Sequence, residues 1–209
     1  AEDGIRDYKV TGVQTCALPI YTGIGKTIVS AMMMSNLDAT YWKPIQSGLE
    51  DETDTQFVQR ISEADESQII PERWTLAAPM SPHASADLDG VSIKLDDFEL
   101  PEYSTRHLIV EGAGGLIVPI NWQHTVLDLI EKLKLPVLLV ARSGLGTLNH
   151  TLLSLNALRN RGIYVFAVLL NGPYHNSNRE TLRHFGDLPI YEVGQLPKID
   201  KKSLQTAFS

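Results

Sequence analysis

Gly23-Ile24-Gly25-Lys26-Thr27 is the stretch on which the fold turns. It leads straight into Ile28-Val29-Ser30-Ala31-Met32-Met33-Met34, an unbroken helical candidate. A Gly-Lys-Thr that opens a helix lets backbone N–H groups wrap a phosphate. The lysine then reaches the β- and γ-phosphates, and the threonine hydroxyl can ligate Mg²⁺. The positive end of the helix dipole faces the same anion. The usual pattern has a glycine six residues before the lysine, and Ile20 stands there instead. On Gly-Lys-Thr alone, a phosphate loop and an ordinary glycine turn entering a helix are equally good readings. The ends of the later strands decide between them.

Downstream, strand and helix alternate. After a helix over 27–34, an apolar run over 39–45 ends at Lys43-Pro44, and 51–60 is polar and then helical. Residues 72–82 read as irregular, and 89–102 as an acidic surface helix and loop. Strands are expected over 106–110, 136–141, 164–170 and 189–193, with helices over 125–134, 147–161 and 178–185. Apolar strands without polar alternation are buried on both faces. Their alternation with helices builds a parallel sheet with right-handed crossovers. The expected fold is one α/β domain, a doubly wound and mainly parallel sheet with helices on both faces. In such sheets the ligand sits beyond the carboxyl ends of the strands. That rule selects residues 23–27, 43–48, 111–115, 142–146 and 171–173.

Composition narrows the partners. At ~100–200 residues per domain, 209 residues make one large domain or two small ones. A net charge of −7 argues against nucleic acid or an anionic membrane as partner. A single cysteine, Cys16, excludes an internal disulfide and a cysteine metal site, and suits a reducing cytoplasm. No apolar run approaches the ~20 residues of a membrane span, and no leader pattern opens the chain.

At the strand ends, Glu111 follows Leu108-Ile109-Val110, where a carboxylate is the expected second anchor for nucleotide-bound Mg²⁺. Gly112, Gly114 and Gly115 behind it allow close backbone approach to a ligand. Lys43, held extended before Pro44, could neutralise charge on a transferred phosphoryl group, although a surface lysine is the plainer reading. Asp54 sits in an acidic run that spacing alone reads as a solvated loop. His83 and His150 could be bases or ligands, but no His/Asp/Glu spacing supports zinc. Gly144 and Gly146 before the helix at 147 offer a second helix N-terminus for an anion.

Taken together, the motifs resemble those of the dethiobiotin synthetase family of P-loop enzymes. The matching stretches are T-G-I-G-K-T from Thr22, Y-W-K-P-I-Q-S-G from Tyr41, the Asp54 region and A-P-M-S-P-H from Ala78. They continue with V-E-G-A-G-G from Val110, G-L-G-T-L-N-H from Gly144, L-N-G from Leu170 and V-G-Q-L-P from Val193. The resemblance implies an ATP-dependent ligase that joins diaminononanoate and CO₂, with ATP and Mg²⁺ as cofactors. Gly23, Ile24, Gly25, Lys26 and Thr27 would bind the triphosphate, and Lys26 and Lys43 would be catalytic. Thr27, Asp54 and Glu111 would hold Mg²⁺. Thr22, Lys43 and Ser47 would line the substrate pocket, with Gly146, Thr147 and Asn149 reaching the substrate tail across a homodimer interface. Asn171, Gly194, Leu196 and Pro197 would recognise adenine. Two alternatives share the fold. Partitioning or septum-site ATPase switches carry an extra lysine five residues before the loop lysine, where this chain has Tyr21. Amidotransferase-linked cobalamin-pathway synthetases usually carry a further glutaminase domain with a cysteine nucleophile.

The resemblance begins abruptly at Thr22 and defines one synthetase domain over 22–209. Residues 1–21 read as an aberrant, non-native segment, and G-V-Q-T-C-A-L-P-I from Gly12 resembles a translated sequencing-adapter read. Where the family has Gly-Thr-Asp, this chain has Pro19-Ile20-Tyr21. Proline locks φ and lacks an N–H, and isoleucine is stiff at χ1. This start admits a third alternative, a nucleotide-binding remnant without catalysis. The sheet still needs a central strand, for which residues 13–18 are the available sequence.

Overall fold

The structure, a computed structural model, describes residues 14–19 and 23–208. Residues 1–13 and 20–22, and with them most of the segment 1–21 and the substrate contact expected at Thr22, lie outside the described residues. In chain order the elements are β1 (Gln14–Pro19), α1 (Lys26–Asn36), β2 (Ala39–Trp42), β3 (Ile45–Ser47), α2 (Asp54–Ser62), β4 (Ile69–Ile70) and β5 (Trp74–Leu76). There follow α3 (Pro82–Asp89), β6 (His107–Glu111), α4 (Val126–Leu133), β7 (Val137–Arg142), α5 (Thr147–Asn160), β8 (Val165–Asn171), α6 (Asn176–Gly186), β9 (Ile190–Val193) and α7 (Lys201–Phe208). The strands pair in parallel in the order β4-β2-β6-β1-β7-β8-β9, beside a small parallel β3-β5 sheet.

The period-two alternation of strand side chains explains the layering. Leu108 and Val110 of β6, Leu139 and Ala141 of β7, and Val168 and Leu170 of β8 join a core with α4, α5 and Leu182 of α6. Ile109, Leu138, Val140, Ala167 and Leu169 face the other way, into a core with α1, α2 and Leu204 of α7. Both faces of the sheet are thus covered, and every strand delivers its carboxyl end to one rim.

β1 fills the central slot between β6 and β7. The sequence reading denies Pro19 a place in a central ladder, yet Pro19 ends β1, opposite Val140 of β7. Pairing with β6 has already stopped at Ala17↔Glu111, so the proline lies where the ladder is finishing.

Three expectations need correction. Residues 72–82 are not irregular throughout, because β5 pairs with β3 there. The helix expected within 89–102 lies upstream as α3, and 89–102 keeps only a single 3₁₀ turn over Leu95–Asp97. Pro82 occupies the first turn of α3, where its missing N–H costs nothing. The C-terminal helix α7 has no counterpart in the sequence reading. Asp200 starts it by accepting the Ser203 backbone N–H at 2.9 Å. Leu204 is its fully buried anchor, and Gln205 donates to the Ser35 carbonyl at 3.1 Å.

That cap titrates. The Ser203 backbone N–H and the Lys198 ammonium hold the Asp200 carboxyl down at about 2, below its ordinary 3.8. A folded value below the unfolded one contributes stability that is complete above the unfolded value and lost as pH falls through the folded value. The urea midpoint of the chain should therefore exceed that of Asp200→Ala by a constant margin above a pH of about 4. The margin should shrink towards zero as pH approaches about 2.

Candidate functional site

The rim of the sheet gathers a buried cluster of charge. Glu111 ends β6 and is fully buried. The β2–β6 register sets Trp42 beside Val110, so the next residue, Lys43, arrives beside Glu111. Asp54 is the first residue of α2, fixed by a capping box in which Thr53 and Gln56 satisfy each other's backbone N–H groups. Lys43 Nζ bridges the two acids, in contact with Asp54 Oδ2 and 3.3 Å from Glu111 Oε1. Thr27 Oγ1 stands 2.6 Å from Asp54 Oδ1 and 3.1 Å from Glu111 Oε1. With one hydroxyl proton, Thr27 can donate to only one of these at a time. Lys26, also buried, lines the same cavity of about 350 Å³ as Lys43, Ser47 and Asp54. The Ala113-Gly114 turn and the 79–82 loop close its walls.

Two ammonium groups and two carboxylates balance in this cluster, and each tunes the others. Burial pulls Lys43 down, but Glu111 and Asp54 more than offset it and hold the ammonium above the usual lysine value. Burial dominates at Lys26 and, with Lys43 adding repulsion, leaves it below the usual value despite Glu111 and Asp54. Burial would raise Asp54, yet the Lys43 ammonium and the Thr27 hydroxyl bring its carboxyl below the ordinary range. Thr27, Asp54 and Glu111 form a hard-oxygen donor set. Among the described residues no group of three or more His, Cys, Asp or Glu side chains is placed for a metal. Two carboxylates and a hydroxyl suit Mg²⁺, which takes one or two protein carboxylates and shares its remaining positions with phosphate and water.

The glycine turn of residues 23–25 is braced from β8. Gly25 adopts φ 92° at the head of α1, and its carbonyl accepts the Val29 N–H at 3.0 Å. Asn171 donates its side-chain N–H to the Ile24 carbonyl at 2.8 Å. A Cβ on Gly25 would fall 2.0 Å from Asn171 Nδ2, so both the backbone angle and the close approach require glycine. Gly194, Leu196 and Pro197 border a separate cavity of about 690 Å³ together with Pro173 and Tyr174. Gly146, Thr147 and Asn149 form the first turn of α5 and do not line the Lys43 cavity. His83 is packed edge-on against Trp122, and His150 is exposed on α5.

Three polar residues at the site escaped the sequence reading. Ser30 donates to Glu111 Oε2 at 2.7 Å and Tyr41 donates to the same oxygen at 3.0 Å. Ser30 lies one turn beyond Thr27 on α1, a spacing that a face-by-face reading of the helix could have used. Gln46 lines the cavity, donates to the Ser47 and Gly48 carbonyls, and leaves Oε1 buried without a partner among the described residues. Ser47 Oγ is in the same condition.

Comparison with known proteins gives these features a context. A family model described as an AAA domain matches residues 17–205. The ATP-dependent dethiobiotin synthetase of Brucella ovis is 46% identical over 182 residues, covering 87% of this chain and 84% of its own length. That of Brucella abortus shows the same identity and coverage. Among solved structures, a ParA family ATPase from Chlorobium tepidum aligns over 92% of this chain and 89% of its own, at 13% identity and a TM-score of 0.47.

Proposed function

The chain belongs to the ATP-dependent dethiobiotin synthetase family, as a ligase of biotin biosynthesis, and we propose that it closes the ureido ring at the Lys43 cavity. The observation that carries this assignment is the buried Lys43 ammonium between Asp54 and Glu111, beside Lys26, at the rim where the strands end.

In the proposed reaction one amine of 7,8-diaminononanoate captures CO₂ as a carbamate. The carbamate oxygen takes the γ-phosphoryl group of ATP and releases ADP. The second amine attacks the carbonyl of the resulting mixed anhydride, the C–O bond to phosphate breaks, and the ring closes. The carbamate is a poor electrophile until phosphorylated, and this transfer depends on position and positive charge more than on a protein base. Lys26 and the amides of Gly23, Ile24 and Gly25 would hold the triphosphate. Lys43 would stabilise the carbamate and the charge that develops on the phosphoryl oxygens. Thr27, Asp54 and Glu111 would hold Mg²⁺, which when bound supplies further charge neutralisation at the phosphates. Ser47, whose buried hydroxyl has no partner among the described residues, would meet the diamine, and Thr22 is assigned to the same substrate. Asn171, Gly194, Leu196 and Pro197 would receive adenine beside the 690 Å³ cavity. We infer a cytoplasmic enzyme, in keeping with a single cysteine in the chain; separately, no described helix is long and apolar enough to cross a membrane.

Mass spectrometry of a mixture of diaminononanoate, bicarbonate, Mg²⁺ and ATP should detect dethiobiotin. Lys43→Ala should lower turnover by about 10²–10³ while leaving ATP binding nearly intact, the range for losing one electrostatic contact to developing charge. Equal losses in binding and turnover would reduce Lys43 to a nucleotide anchor.

Gly146, Thr147 and Asn149 do not line the Lys43 cavity of their own chain, and we assign them to the substrate of a second copy. A two-fold dimer through α5 is therefore part of the reading, and Leu153 stands 60% exposed on that helix. Light scattering at assay concentration should give twice the chain mass. A monomer mass with full activity would remove these residues from the site.

Residues 1–21 enter as a non-native segment that weakens the start of the phosphate loop. Replacing Pro19-Ile20-Tyr21 with Gly-Thr-Asp behind a regular apolar strand should tighten ATP binding in calorimetry. Equally tight binding by the chain as it stands would mark the segment as a tolerated variant.

A further inference from the structure

Glu111 uses its two oxygens differently. Oε1 meets Lys43 at 3.3 Å and Thr27 at 3.1 Å, on the side of the charged cluster. Oε2 accepts two neutral hydroxyls instead, from Ser30 at 2.7 Å and Tyr41 at 3.0 Å. Ser30, Tyr41 and Glu111 are all fully buried, so water cannot take either donor's place.

The backbone dictates this convergence. In the β2–β6 ladder Tyr41 pairs with Ile109. Glu111 lies two residues further along β6, hence on the same face, at a diagonal distance that a long aromatic side chain spans. On that same face α1 lowers Ser30 onto the strand end, one turn beyond Thr27. The terminal torsion of a glutamate is broad and roughly two-fold, so a carboxylate held at one oxygen alone can turn about its axis. Two donors on Oε2 fix its plane and leave Oε1 directed at Thr27 and Lys43. Because both donors are neutral, they orient the carboxylate without consuming its charge.

We propose that Tyr41 and Ser30 are positioning residues that lock the Glu111 carboxylate and present Oε1 as a ligand for the Mg²⁺ that accompanies ATP. The proposal rests on the reading of Glu111 as a metal ligand.

Calorimetry on the full chain tests it through the Mg²⁺ enhancement of ATP binding, the ratio of affinity in excess Mg²⁺ to affinity in EDTA. Tyr41→Phe and Ser30→Ala should each cut this ratio by about tenfold, and the double variant by up to about a hundredfold, with the EDTA affinity unchanged. Removing an outer partner of a metal ligand has effects of that size. Glu111→Gln serves as the reference. If it loses the enhancement while the double variant retains it, Tyr41 and Ser30 only satisfy a buried group and the proposal is wrong. If Glu111→Gln also retains the enhancement, the metal assignment itself fails and the proposal falls with it. Should Tyr41→Phe not fold, Ser30→Ala decides alone, since it removes one hydroxyl from a helix and adds no bulk.

Discussion

The contact on which the site depends is the Lys43 ammonium held between Asp54 and Glu111. Desolvating a charge costs several kcal/mol per ion, and only close partners and good hydrogen bonds offset it. Each member of the cluster therefore requires the others. The fully buried Glu111 carboxylate finds its hydrogen-bond partners in Lys43, Thr27, Ser30 and Tyr41. Lys43 could not stay charged there without its two acids. The elements that supply these groups come from separate parts of the chain: α1, β2, the start of α2 and the end of β6. Forming the cluster thus requires the sheet and its α1/α2 layer to be in register, and the same register aims the groups at a common cavity.

This dependence also explains what the sequence could reveal. The parallel sheet was legible because β6, β7 and β8 are apolar at consecutive positions, a pattern that only burial on both faces produces. Glu111 and the glycine turn were legible from their place after a strand and before a helix. Lys43 and Asp54 were not legible from position alone and entered through the family resemblance. A lysine before a proline and one acid among several look like surface residues until the β2–β6 register and the α2 cap bring them together. Tyr41 and Ser30 were hidden for a related reason. Both read as parts of a strand or helix core, and their hydroxyls matter only because Glu111 lies opposite. The tail helix α7 was missed because its anchor is a single leucine, Leu204, which gives no amphipathic stripe to follow.

Much of the support for residues 23–27 comes from the side that follows. The α1 helix is fastened by Val29, Met32, Met33 and Met34, all buried against the sheet, α2 and α7. Its first backbone bond, Val29 N–H to Gly25, fixes the last glycine of the turn. From β8, Asn171 grips the Ile24 carbonyl, so the turn is tied to a strand that does not precede it. Lys26 and Thr27 sit on the helix and not on the approach, and their positions follow from its packing. The lysine, the hydroxyl and both carboxylates of the cluster are thus placed by α1, α2, β2 and β6.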